Sequence, residues 1–175
     1  MPSAPRIPYP ADAAAPDGRL NIERLFGHFP PDLRDAFGRF AGAVMTSPAL
    51  DPLLRELAIL RVGHLSRAAY EIQQHTTYAR HLGLSEAVLA GLAEGPDAPV
   101  FTDAQRATLR FVDDLVLNVR PGDAHLEAVR ALLPTDALFA LVLTIGQYML
   151  VCRILETAGI PLEEDETRIL SRLKG

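Results

Sequence analysis

Apolar positions along the chain recur at intervals of three and four, the period of an α-helix, and no useful stretch alternates with the two-residue period of a strand. Asn21 is placed to cap a short helix that ends before Pro30 and Pro31. Leu33, Phe37, Phe40 and Val44 mark a second helix that stops near Ser47 and Pro48. Asp51, followed by Pro52, opens a third. There Leu53, Leu54, Leu57, Ile59, Leu60, Val62 and Leu65 surround most of the helix, as expected at the centre of a bundle. The less apolar segment 68–82 closes at Gly83, and Ser85 caps a short helix running to Gly95. Thr102 and Gln105 form a capping-box pattern, opening a helix with Leu109, Val112, Leu115, Val116 and Val119 on its buried side. Arg120, Pro121 and Gly122 end it. A shorter helix follows to about Leu133, and Pro134 begins a long apolar helix ending near Gly159. The charged tail 163–175 adds a last helical turn or two. The pattern predicts an all-α bundle: one helical domain over 20–175, preceded by an extended Pro- and Ala-rich arm over 1–19. That arm is expected to be mobile or laid over a neighbouring subunit.

Composition narrows the function classes. A length of 175 residues fits one domain with a sizeable core. The net charge of −5 and the lack of any basic run argue against nucleic-acid binding, which needs clustered cations. The longest apolar stretch, 137–152, is broken by Thr144, Gln147 and Tyr148 and meets Arg153, so it reads as a buried helix rather than a membrane span. The first residues lack the apolar run of a signal peptide, and a cytoplasmic location is expected. The one cysteine, Cys152, lies in an apolar run and reads as an inert buried thiol.

Glu71 and His75, four apart, share a helix face. A carboxylate at one imidazole nitrogen would fix the tautomer and leave the other nitrogen for a substrate proton. On spacing alone the pair reads rather as a solvated surface contact, since such pairs are common on exposed helix faces. Glu56 adds weight to the chemical reading, because a carboxylate inside an apolar helix needs a partner. Arg55 or Arg61 would serve as that partner in a purely structural role. His64 lies on the same helix, roughly 80° around from Glu56. Glu56, Glu71 and His75 together would make a three-ligand metal site, but no HExxH pattern or cysteine set supports one, and no metal or other cofactor is expected. Tyr70 and Tyr148 are candidate hydrogen-bond donors to a substrate. His28, His81 and His125 fall near helix ends and read as surface residues.

The segment RELAILRV at 55–62, followed by YEIQQH at 70–75 and ARHLGLS at 79–85, resembles the carboxymuconolactone decarboxylase family, within the superfamily of alkylhydroperoxidase D. Weaker likeness extends to the opening, from Arg6 to Pro30, and to the closing run from Gly146 to Leu162. The resemblance implies a helical bundle of the alkylhydroperoxidase D type assembled as a homo-oligomer: a trimer, a hexamer or, for this branch, a dimer. The peroxidase branch of that family carries CxxC, a histidine four residues beyond, and a relay glutamate on the preceding helix. Laid on this chain, the cysteines fall at Ala68 and Glu71, the histidine at His75 and the glutamate at Glu56. Without thiols, the dithiol mechanism has neither nucleophile nor resolving group.

The decarboxylase branch carries Glu-x-x-x-His at the same turn. It implies His75 handling the proton, Glu71 orienting it and Glu56 relaying, with His64, Tyr70 and Tyr148 as tentative substrate contacts. The expected function is cofactor-independent acid–base chemistry, decarboxylation or a related proton transfer, on a small carboxylate, lactone or carbonyl compound. Two alternatives stand beside it: a non-catalytic helical oligomer that binds a small molecule, and a peroxidase-related protein without the dithiol mechanism.

Overall fold

A computed structural model describes residues 4–13 and 18–171. Among the described residues there is no strand. The helices are α1 (Asn21–Leu25), α2 (Pro31–Thr46), α3 (Pro52–Ser66), α4 (Ala69–Leu82), α5 (Glu86–Glu94), α6 (Asp103–Asn118), α7 (Asp123–Arg130), α8 (Thr135–Ala158) and α9 (Thr167–Ser171).

The predicted stop and start signals act where local chemistry controls them. Asp51 accepts a hydrogen bond from the Leu54 N–H at 2.9 Å at the start of α3. Thr102 and Gln105 exchange reciprocal bonds at the start of α6. Gly83 and Gly159 close α4 and α8 in the left-handed conformation that a side chain disfavours. Asn21 is not the cap of α1. It is the first helical residue, and its amide donates to the Pro161 carbonyl at 3.1 Å instead.

α3 forms the axis of the bundle, with Leu57, Ala58, Ile59, Leu60 and Val62 buried on every side against α4, α6 and α8. Gly63 brings α4 close: a Cβ there would lie 3.2 Å from Ile72 and 3.8 Å from Glu71. A second, smaller cluster, including Leu92, Phe101 and Leu109, packs α5 and α6 against the other flank of α3. The helix predicted through Val119 ends a residue sooner. Val119 takes a left-handed φ of 66° and faces solvent, and Phe111 is buried in the core instead.

α8 has the length and apolarity of a membrane span, yet half of its most apolar window is buried within the bundle. Its burial is one-sided, contrary to the buried helix expected from the run 137–152. Phe139, Leu143 and Leu150 fall on one exposed stripe, and Leu33 and Phe40 of α2 are exposed as well. Leu33, Phe40, Leu143 and Leu150 border an apolar groove of about 790 Å³ between α2 and α8. Only Val44 of the four apolar markers of α2 is fully buried.

The described part of the N-terminal arm, 4–13, lies on the body of its own chain rather than projecting from it; residues 1–3 and 14–17 fall outside the described residues. The Ile7 N–H donates to the Ala158 carbonyl at 3.1 Å. The Arg24 guanidinium donates to the Ala13 carbonyl at 2.8 Å and covers the Tyr9 ring. The tail does form a last short helix, α9, and 172–175 fall outside the described residues.

Candidate active site

Three ionisable side chains meet beneath α8. Glu56 comes from the middle of α3, and Glu71 and His75 from the first two turns of α4. They are 2, 3 and 5 % exposed, so the solvated surface pair that spacing alone allowed is absent. Glu56 Oε2 lies 2.7 Å from His75 Nδ1 in a well-formed hydrogen bond. On the opposite side of the ring, Glu71 Oε1 lies 3.0 Å from Nε2. That contact is an ion pair without hydrogen-bond alignment, and Oε1 has no hydrogen-bond partner.

The imidazole is thus held between two carboxylates. Burial alone would lower its pKa, but Glu56 and then Glu71 outweigh burial and push it up to about 10. At neutral pH the ring is therefore an imidazolium. Its edge-to-face contacts with Tyr148 (ring centroids 4.8 Å apart) and Tyr78 (5.3 Å) fix its tilt.

The expected structural partners of Glu56 are occupied elsewhere. Arg55 donates to the backbone carbonyls of Met45, Ser47 and Leu50, tying the end of α2 to α3. Arg61 forms a bidentate pair with Asp113 at 2.6 and 2.8 Å. His75 is the partner of Glu56, which explains how a carboxylate is tolerated in the axial helix.

A cavity of about 740 Å³ opens beside this cluster, between α1, α2, α4 and α8. Glu71 and His75 border it; Glu56 does not. The two carboxylates therefore differ in their access to the cavity. Glu56 holds the ring from behind, while Glu71 borders the cavity. Glu56 and Glu71 lie at opposite ring nitrogens, so the three groups do not converge on one point as metal ligands would. Among the described residues no group of three or more such side chains is placed to hold a metal ion.

The tentative substrate contacts divide. Tyr148 borders the cavity, and its hydroxyl donates to the Met45 sulfur at 2.9 Å. Burial, then the charges of Glu71 and Glu56, keep that hydroxyl protonated well above its ordinary range. Tyr70 also borders the cavity, but its hydroxyl is fully engaged: it donates to Glu163 at 2.6 Å and accepts from the Ile22 N–H at 3.2 Å. Glu163 further accepts from the Asn21 N–H, so this carboxylate clamps α1 to α4. His64 is half-buried and does not border the cavity; burial and nearby Arg61 lower its pKa. Cys152 is buried, and burial followed by the Glu71 charge pushes its thiol up to about 12, as an inert thiol requires.

Gln74 and Gln147, two bordering residues to which the sequence reading gave no role, carry buried amide atoms without partners. Gln147 had shown itself only as a break in an apolar run. Gln74 has no periodic signal, because its neighbours on α4 are also polar.

Comparison with known proteins places this geometry in context. A search of curated proteins gives no match. Among solved structures, an uncharacterised peroxidase-related protein from Ralstonia eutropha JMP134, described as an alkylhydroperoxidase AhpD core, is 22 % identical over 96 % of each chain, with a TM-score of 0.78. Another uncharacterised peroxidase-related protein, from Silicibacter sp. TM1040, is 16 % identical over 85 % of this chain and 79 % of its own, at 0.73. A cysteine-to-alanine variant of the debrominase Bmp8, in complex with 2,3,4-tribromopyrrole, is 16 % identical over 87 % of both chains, at 0.67. At these identities the likeness shows a shared helical fold. The family model described as "Carboxymuconolactone decarboxylase family" matches residues 31–114, which include Glu56, Glu71 and His75, so this segment, just under half of the chain, is similar to that family.

Proposed function

We propose that the protein is a cofactor-independent acid–base enzyme acting on a small carboxylate, lactone or carbonyl compound by proton transfer or decarboxylation. The observation that carries this reading is the buried sequence Glu56–His75–Glu71, sealed at Glu56 and bordering a cavity at Glu71 and His75. In a proton transfer, the Glu71 carboxylate accepts the proton of a substrate C–H or O–H, and the electron pair left behind moves onto the substrate carbonyl. The imidazolium of His75 supports that developing negative charge and supplies the proton that quenches it. In a decarboxylation, the C–CO₂ bond breaks instead, and the same proton source quenches the carbanion. Glu56 touches no substrate in either case. It is a positioning residue that keeps His75 charged and oriented.

The dithiol route has no support, since Ala68 and Glu71 stand where the cysteines would be and Cys152 is buried away from reaction. The complex of Bmp8 with a brominated pyrrole supports a ring-sized ligand for a cavity in this kind of fold. The reading also includes self-association in the cytoplasm, supported by the exposed apolar stripe on α2 and α8, which is unusual on a lone monomer.

The test is hydrogen exchange. Purified protein is incubated in D₂O with a panel of enolisable ketones, lactones and β-keto acids, and NMR follows deuterium entering the carbon skeleton and loss of CO₂. At least one compound should exchange or decarboxylate, and Glu71→Gln and His75→Gln should each slow it by about 10²–10⁴-fold. Equal rates in Glu71→Gln and in the parent would end the proposal.

A further inference from the structure

The cavity carries polar atoms that the acid–base step leaves unused. Gln147, 3 % exposed, has both the nitrogen and the oxygen of its amide buried without a partner, and Gln74, 6 % exposed, has its amide nitrogen in the same state. Each unmade bond of this kind is unfavourable, and replacing such a group by an apolar one of similar shape is close to neutral or stabilising. Two such groups beside one cavity point to a partner that arrives with the ligand. Their positions agree. Gln74 lies one turn from Glu71 and next to His75; Gln147 precedes Tyr148, whose ring packs on His75. The last torsion of a glutamine is soft, so each amide can turn to meet a ligand without moving its helix.

The unpaired atoms describe the ligand. The amide nitrogens of Gln74 and Gln147 are donors that need an acceptor. Gln147 Oε1 is an acceptor that needs a donor, whereas Glu71 Oε1 already faces His75 Nε2 at 3.0 Å. Charge then excludes an anion from the depth of the cavity. Its lining carries Glu23 and Glu71 against Arg34 and the His75 imidazolium, with the Glu56 carboxylate directly behind the ring. Arg34 lies at the rim, its side chain 47 % exposed and 3.9 Å from Asp35. A plain cation would leave the two amide donors unmet. The remaining walls, including Phe37, Ala41, Met45 and Val151, are apolar.

We infer that Gln74 and Gln147 are the substrate-reading pair, and that they select an uncharged, mostly apolar carbonyl compound bearing an N–H or O–H donor, as in an amide, lactam or hydroxy-ketone. This rests on the acid–base reading only for what happens to the ligand. It favours proton transfer over decarboxylation, because the one cation at the floor, the His75 imidazolium, is already held between two carboxylates. Recognition adds about tenfold in affinity for each neutral hydrogen bond gained.

The test uses four probes of one size: benzamide, acetophenone, toluene and benzoate, titrated into the full chain while NMR follows the glutamine side-chain amides. Benzamide should bind tightest, shift the Gln74 and Gln147 amide signals, and weaken about tenfold in Gln147→Leu and in Gln74→Leu. Toluene binding should stay the same or tighten in both. Either variant suffices if the other fails to fold. Tightest binding of benzoate overturns the inference. So does equal binding of benzamide and toluene, the absence of binding by every probe, or amide signals that stay in place, which would leave the glutamines to ordered water. The same titration on His75→Gln separates the two proposals: the benzamide preference should survive there even if no compound undergoes proton exchange.

Discussion

Replacing Glu56 by Gln should convert a strongly pH-dependent protein into a weakly pH-dependent one. Glu56 and Glu71 lie 2.7 and 3.0 Å from opposite nitrogens of His75, so at an effective dielectric of about 20 each attraction is on the order of 6 kcal/mol. Glu56 thus supplies about half of the pull that raises His75 from 6.5 to about 10 against burial, a net shift worth about 5 kcal/mol. The folded pKa lies above the unfolded value. The stabilisation is therefore complete below about pH 6.5 and is lost as pH climbs towards 10. Between pH 7 and 9 the parent should lose about 2–3 kcal/mol of unfolding free energy. In Glu56→Gln the burial penalty stays while about half the pull is gone, so the His75 pKa falls well below that of the parent. Over the same interval the loss should shrink to about 1 kcal/mol, and at pH 7 the variant should be about 2–3 kcal/mol less stable. Cys152, whose thiol is also raised, begins to contribute near pH 9, equally in both proteins. Urea unfolding at fixed protein concentration, at pH 7, 8 and 9, measures the slopes, and NMR titration of the His75 ring measures its pKa directly. A Glu56→Gln slope equal to that of the parent, or a His75→Gln variant that keeps the full slope, would refute the buried imidazolium.

Further outcomes follow from other contacts. Glu163→Ala should cost about 2–4 kcal/mol and loosen α1, because the Tyr70 hydroxyl and the Asn21 N–H lose their acceptor together; unchanged hydrogen exchange over 20–25 would contradict the clamp. Gln147→Leu should raise Tm by about 2–4 °C in the absence of ligand, since it removes two unmet polar atoms; a fall of that size would mean the amide has a structural partner. Native Cys152 should resist iodoacetamide at pH 8 and react at once in urea, with rapid native labelling as the contrary result. Leu143→Asp, on the exposed stripe of α8, should shift sedimentation towards the monomer without lowering Tm by local unpacking; an unchanged sedimentation coefficient would remove this face from any assembly.

What was legible in the sequence is what depends on neighbours along the chain. Asp51, Thr102, Gly83 and Gly159 announce helix ends because caps act over three or four residues. The axial place of α3 shows in its all-round apolarity. The relation of Glu56 to His75 does not, since the two are 19 residues apart and only the packing of α4 on α3 at Gly63 aligns them. Periodicity put Glu71 and His75 on one face but said nothing of which nitrogen each carboxylate meets; family likeness named the three residues without showing which of the two acids borders the cavity. The apolar positions of α2 marked a helix but not what covers it. A hydrophobic stripe reports that a surface avoids water, not that its own chain covers it. Gln74 and Gln147 stayed hidden because an unmet hydrogen bond is a property of the folded cavity, with no pattern in sequence.

The Met45 sulfur, which accepts the Tyr148 hydroxyl and borders the cavity, gives the site an unexpected relation to oxidants. Two carboxylates and an imidazole have nothing for peroxide to oxidise, and the one thiol is buried. Oxidative damage at this centre would therefore fall on a thioether: sulfoxidation of Met45 would put a strong acceptor in place of a weak one under the tyrosine that packs on His75. The protein would then respond to peroxide as a target, and methionine sulfoxide reductase, rather than a thiol reductant, would restore it.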